Sequence, residues 1–88
     1  MKIVFFPTAW EDYRHWQDQD PRLLARINLL LRECQRHPFE GTGKPEALRG
    51  NLKGWWSRRI DREHRLVYRV TGTAGAQALE VAQCRYHY

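Results

Sequence analysis

The sequence predicts an α+β fold: an N-terminal strand, two helices, then a three-stranded antiparallel meander. Three observations predict it. A short run of β-branched and aromatic residues opens the chain and is closed by Pro7. Apolar residues then recur at helical spacing through Cys34. Beyond Gly54, strand-like runs are separated by polar and glycine-rich turns, and one of them alternates apolar with basic residues.

Lys2 to Phe6, rich in Ile, Val and Phe, forms the first strand. Thr8 and Glu11 make a capping box, which opens a helix by satisfying its orphan amides. Trp10, Tyr13 and Trp16 are the expected apolar face of that helix. Asp20-Pro21 is a second start signal, with Asp as cap and Pro in the first turn. From there Leu23, Leu24, Ile27, Leu30, Leu31 and Cys34 form a stripe with the period of a helix. Pro38 stops it, and His37 before the proline is biased away from helix. Pro38 to Gly54 is punctuated by Pro38, Gly41, Gly43, Pro45, Gly50 and Gly54 and reads as a loop. Loops of this length in small domains are usually functional or disordered, and the basic decoration here favours function. Trp55 to Ile60 and His64 to Val70 follow as strands joined by Asp61-Arg62-Glu63. In the second, Leu66, Tyr68 and Val70 share one face, and Arg65, Val67 and Arg69 the other. Thr71 to Ala76 is a hairpin loop, and Gln77 to about Tyr86 is the last strand.

At 88 residues the chain is expected to be one domain, residues 1–88. So short a chain needs a dense core, and four Trp, four Tyr and three Phe can supply it. The net charge of +5 indicates a polyanionic partner, usually nucleic acid, without separating binding from catalysis. Cys34 lies on the apolar stripe and neither cysteine sits in a CxxC pair, so two reduced, buried thiols are expected. The opening apolar run is too short for a signal peptide, and nothing approaches the roughly 20 apolar residues of a membrane span. A soluble, cytoplasmic protein with no membrane partner is the expectation.

Cleaving RNA without a metal requires a general base for the 2′-OH proton, a general acid for the departing 5′ oxygen, and cations for the phosphorane. Glu46, His87, Arg65 and Arg59 supply those groups, and the planar fork of arginine suits two phosphate oxygens. Arg58 and Arg59 alternate faces, so one of the pair can reach such a site and the other is expected in solvent. The terminal Tyr86-His87-Tyr88 is unusually aromatic for a tail and suggests packing or base stacking. From these residues alone an enzyme and a binding module both stay open. Cys84 and His87 stand at C-x-x-H spacing, but no second ligand pair accompanies them, and neither a metal nor a cofactor is expected. Gly41-Thr42-Gly43-Lys44 lacks the spacing of a nucleotide-binding loop.

Several motifs occur together in order: Pro38-Phe39-Glu40-Gly41-Thr42-Gly43-Lys44-Pro45-Glu46, Asn51-Leu52, Trp56-Ser57-Arg58-Arg59-Ile60, Glu63-His64-Arg65-Leu66-Val67-Tyr68 and the ending Cys84-Arg85-Tyr86-His87-Tyr88. With Trp10, Asp12-Tyr13, Trp16-Gln17 and Asp20, they span essentially the whole chain. This set resembles the YoeB toxin family, within the wider RelE/ParE group. The resemblance implies a fold like small microbial ribonucleases, with helices packed on a twisted antiparallel sheet. It implies a bacterial, ribosome-dependent endoribonuclease that cuts mRNA in the decoding site and is neutralised by a YefM-like antitoxin. By similarity Glu46 is the general base, His87 the general acid, Arg65 the phosphate and transition-state stabiliser, and Tyr88 orients substrate. Arg59 is a further phosphate contact, and Lys44 and Arg49 are contacts to mRNA or ribosomal RNA. Operator DNA is expected only through the antitoxin complex, and a homodimer is left open. Position 49 carries Arg where the family leads one to expect Lys, and the Thr71–Ala76 loop is longer than usual.

Three readings compete: a metal-independent ribonuclease leaving a 2′,3′-cyclic phosphate, an inert relative that only joins its antitoxin on operator DNA, and the gyrase-poisoning branch of the same group. Glu46, Arg65 and His87 together favour the first, because the other two need no acid–base pair.

Overall fold

The computed structural model describes residues 1–87. Among them the chain forms β1 (Lys2–Phe5), α1 (Pro7–Gln19), α2 (Pro21–Arg36), β2 (Glu46–Ala47), β3 (Trp56–Arg59), β4 (Arg65–Thr71) and β5 (Ala78–Gln83), with a 3-10 turn at Gly50–Leu52. The α+β class is the one expected. The strands make one sheet in the order β1-β5-β4-β3-β2. β2 to β5 pair antiparallel, whereas β1 runs parallel to β5. A parallel pair needs a long crossover. Here α1 and α2 carry the chain away from β1, and the meander returns from the far edge until β5 lies beside it.

The start of α1 corrects the expected capping box. Phe6 is the cap residue, makes no side-chain cap bond, and is followed directly by Pro7 in the first turn. Proline lacks the amide that would need a cap, and its fixed φ already suits a helix. Thr8 therefore lies inside the helix. The second start is as expected: the Leu23 amide donates to Asp20 Oδ1 at 3.2 Å, with Pro21 following the cap.

α2 buries Ile27, Leu30, Leu31 and Cys34 against Leu66, Tyr68, Leu79 and Val81 of the sheet. A large aliphatic side chain removed from water in this way contributes about 1.5–3 kcal/mol. α1 faces the core with Ala9, Asp12 and Trp16 instead of the expected Trp10, Tyr13 and Trp16. Residues six apart on a helix sit about 120° from each other, so Trp10 and Trp16 cannot share one narrow face. Trp10 is left 46% exposed and stacks on Tyr13, with ring centroids 5.8 Å apart. Cys34 and Cys84 are free and buried as expected, and burial pushes their thiols up to about 11 and about 12.

The last strand stops at Gln83, short of Tyr86. Cys84 takes its partners from α1: its amide donates to Asp12 Oδ2 at 3.0 Å, and its carbonyl accepts from Trp16 Nε1 at 2.8 Å. Those bonds turn the backbone out of the ladder.

Arg58 corrects the expectation that the arginine facing away from the site is solvated, because it is fully buried on the helix-packed face. Its Nη1 donates to Glu33 Oε1 at 2.8 Å and to Thr42 O at 3.1 Å. Its Nη2 donates to His37 O at 2.6 Å and Glu40 O at 2.7 Å, and its Nε to the Tyr68 hydroxyl at 3.2 Å. Tyr68 in turn donates to Pro38 O. The chain between α2 and β2 is thus wrapped around one guanidinium. Gly43, at φ +86°, permits the close approach, since a Cβ there would stand 2.9 Å from Arg59 O.

Replacing Arg58→Met should destabilise the fold by about 3 kcal/mol, the low end for a broken buried pair because Glu33 keeps access to water. Urea unfolding checks this, and a loss under about 1 kcal/mol would show the carbonyls re-satisfied by water. Acid should erode the same link. Hydrogen bonds from the Thr42 amide and hydroxyl, then from Arg58, hold the Glu33 carboxyl below its ordinary 4.5. The folded state thus favours ionised Glu33, and this contribution is complete above 4.5 and lost as pH falls through the lower folded value. Glu33→Gln should flatten that part of the acid limb in a stability–pH curve.

Candidate active site

Side chains directly opposite one another in an antiparallel pair lie on one face of the sheet. Trp56 pairs with Tyr68, and Arg58 with Leu66, so these side chains face the helices. Ser57 pairs with Val67 and with Glu46, and Arg59 pairs with Arg65, so Glu46, Arg59 and Arg65 share the helix-free face. Ser57 and Val67 are buried and floor this face, while Glu46 and Arg59 are exposed above it. Register rather than sequence distance brings the three together.

Glu46 is not a loop residue, as expected from the glycine and proline punctuation, but half of the two-residue strand β2. It gets there because the Arg59 amide donates to Gly43 O at 2.7 Å, which lays the incoming loop along β3. Arg65 is half-buried, and its Nη1 donates to Asp61 O and to His64 O, both at 3.0 Å. Burial would raise the Asp61 carboxyl, but amide bonds from His64 and Glu63 outweigh it and hold the group below its usual range. The guanidinium of Arg65 is therefore held at the β3–β4 turn by two backbone carbonyls, beside the ionised Asp61 carboxylate.

The tail arrives on the other flank. After Cys84 the backbone bends, and the Arg65 amide donates to Tyr86 O at 3.0 Å. His87, exposed, starts one peptide from that bond. Tyr88 lies outside the described residues. Across the sheet the order is thus Glu46 on β2, Arg59 on β3, Arg65 on β4, then the tail. Adjacent strands lie about 4.8 Å apart, so about 10 Å separates the backbones of β2 and β4, a gap that long side chains can span. A carboxylate, two guanidiniums and an imidazole arranged in this way can accept a proton, hold a phosphate and return a proton. Lys44, at φ +52°, and Arg49, capping the 3-10 turn, are exposed on the connections either side of β2, off the strand face.

Sequence reading missed several parts of this region. Arg69 joins Arg59 and Arg65 on the helix-free face, where it pairs with Glu80 at 2.7 Å and lies 4.3 Å from the Trp55 ring centroid. The alternation in β4 placed Arg69 with Arg65, but nothing signalled the tryptophan beneath it. Asp12 is buried on α1, and burial raises its carboxyl despite the Cys84 amide bond. A carboxylate on the inward side of a helix was the available signal. Among the described residues no three His, Cys, Asp or Glu cluster as a metal site, and no helix is long and apolar enough to cross a membrane.

A family profile described as "YoeB-like toxin of bacterial type II toxin-antitoxin system" matches residues 5–88. The toxin YoeB of Escherichia coli strain K12 is 51% identical over 88 residues, covering 100% of both chains. A YoeB/ParE toxin structure from Agrobacterium tumefaciens superposes with a TM-score of 0.98 at 53% identity, covering 100% of both chains. Staphylococcus aureus YoeB, solved as a dimer and in a heterotetrameric YoeB–YefM complex, gives TM-scores of 0.89 and 0.88 at 45% identity, covering 100% of this chain and 98% of those. With this agreement over its full length, the chain belongs to the YoeB-like toxins of bacterial type II toxin–antitoxin systems.

Proposed function

We propose that this toxin, as one domain of residues 1–88, is a metal-independent endoribonuclease that cuts mRNA in the ribosomal decoding site of the bacterial cytoplasm. The observation that carries the reading is the convergence of Glu46, Arg59 and Arg65 on the helix-free face, with the His87 tail fastened beside Arg65. Glu46 takes the proton of the attacking 2′-OH. Arg65 and Arg59 grip the phosphate and balance the charge that builds on it. His87 returns a proton to the departing 5′ oxygen, leaving a 2′,3′-cyclic phosphate, and Tyr88 orients the substrate. No cofactor takes part. Lys44 and Arg49 contact mRNA or ribosomal RNA from the rim.

Glu46 and Arg59 stand exposed on the sheet, so the site depends on the ribosome to hold the mRNA in an attack geometry. A YefM-like antitoxin binds it, a reading that the Staphylococcus aureus YoeB–YefM complex supports, and neutralises it by laying an acidic, ordering segment over Arg59 and Arg65. Operator DNA is reached through that complex, and the dimer of the same relative supports self-association.

Single-turnover cleavage of ribosome-bound mRNA should follow a bell-shaped pH profile. Glu46→Ala should remove its acidic limb and slow the reaction by about 10²–10⁴-fold. Near wild-type cleavage by this variant would overturn the assignment of the base. Ribosome binding should weaken steeply with salt as phosphate contacts release counterions. Exchanging magnesium for cobalt hexammine should leave the chemical step intact, and strict dependence on inner-sphere metal would contradict the mechanism.

A further inference from the structure

A C-terminal tail usually frays unless something ties it down. Here Tyr86 adopts φ +65°, a left-handed conformation that a bulky residue rarely takes without being held. Both polar groups of its backbone are held, by consecutive residues. Its amide donates to His64 Nδ1 at 2.7 Å, and its carbonyl accepts from the Arg65 amide at 3.0 Å. His64 is itself 8% exposed, its ring packed edge-on against Trp16 with centroids 4.8 Å apart. Accepting from an N–H requires a lone pair on Nδ1, which puts the ring proton on Nε2, 3.7 Å from the Glu63 carboxylate. The same residue thus closes the β3–β4 turn through its backbone, while its ring abuts α1 and receives the tail.

We propose that His64 is a positioning residue: its Nδ1 fixes the left-handed turn at Tyr86 and so seats His87 beside Arg65. This rests on the reading of His87 as general acid. An acid acts only within hydrogen-bond reach of its leaving oxygen, and a misplacement of about 1 Å can slow a reaction about 10²-fold. The His64 side chain never meets the RNA in this role.

Two substitutions separate acceptor from packing. His64→Asn retains an oxygen where Nδ1 stood but loses the ring. His64→Phe keeps a ring against Trp16 but has no acceptor. Hydrogen exchange of the Tyr86 amide, followed by NMR, reports the anchor without reference to activity. Single-turnover cleavage of ribosome-bound mRNA reports the consequence, with thermal unfolding as the check on fold. The expected ranking is Asn above Phe. His64→Phe should speed Tyr86 exchange and slow cleavage about tenfold or more, at unchanged ribosome affinity. His64→Asn should stay within about threefold of the wild type in both. The reverse ranking, which packing alone would give, overturns the proposal, as does a wild-type Tyr86 amide exchanging as fast as a free tail. His87→Ala run alongside keeps the two readings apart. If it cleaves at the wild-type rate the acid role fails, while the exchange ranking still decides the anchor.

Discussion

A guanidinium shut away from water on the packed face of the sheet is the constraint that the rest of the structure answers to. An isolated buried charge costs several kcal/mol, and only saturated hydrogen bonding with a nearby counter-charge offsets it. Arg58 finds its counter-charge on α2 and most of its remaining partners in the backbone carbonyls of residues 37–42. The loop before β2 is therefore not free to choose its path, because its carbonyls are what make the buried cation tolerable. From Gly43 onward it can only run along β3, and Glu46 enters the sheet opposite Ser57. One interior charge, on the wrong face to meet a substrate, thereby sets the position of a carboxylate on the other face.

The sheet divides its labour by side. One face carries Leu66, Tyr68, Leu79 and Val81 into the helices and supplies most of the core. The other is floored by Ser57, Val67 and Ala78 and topped with charged side chains, so that arginines stand over a dry base. Such a floor matters electrostatically. A cation above a low-dielectric surface keeps a longer-ranged field than one surrounded by water, which favours capture of a polyanion. α1 contributes little to that face directly. Through Asp12 and Trp16 it ends β5 and swings the tail back toward Arg65, a contribution to the site from the opposite side of the molecule.

Local signals made the scaffold legible. The stripe of α2 and the Asp20-Pro21 start depend on neighbours within a turn or two, and both stand where periodicity and capping chemistry put them. The alternation of β4 likewise gave the two faces of the sheet. What was not legible depended on partners far along the chain. Arg58 and Arg59 are equivalent as letters, and only the arrival of carbonyls some twenty residues upstream makes one of them interior. Trp10 and Trp16 look like one face until helical drift is counted. The last strand reads as continuous through Tyr86 because the bonds that interrupt it come from α1. For the site, the roles proposed for Glu46 and His87 came from resemblance to a family, whereas the meeting of Glu46 with Arg59 and Arg65 needed strand register and the return of the tail needed the bonds to Tyr86. The function of His64 left no trace in the sequence beyond a histidine beside an arginine.

All of these arrangements bear on one chemical claim, that the 2′-OH of the RNA is the nucleophile and that the phosphate ester is opened by proton transfers from side chains. The end groups of the cleaved mRNA report on it most directly. After cutting on purified ribosomes, the upstream fragment should end in a 2′,3′-cyclic phosphate, or the 3′-phosphate derived from it, and the downstream fragment should begin with a 5′-hydroxyl. A 3′-hydroxyl paired with a 5′-phosphate would mean that water attacked instead, and would contradict the roles given to Glu46 and His87.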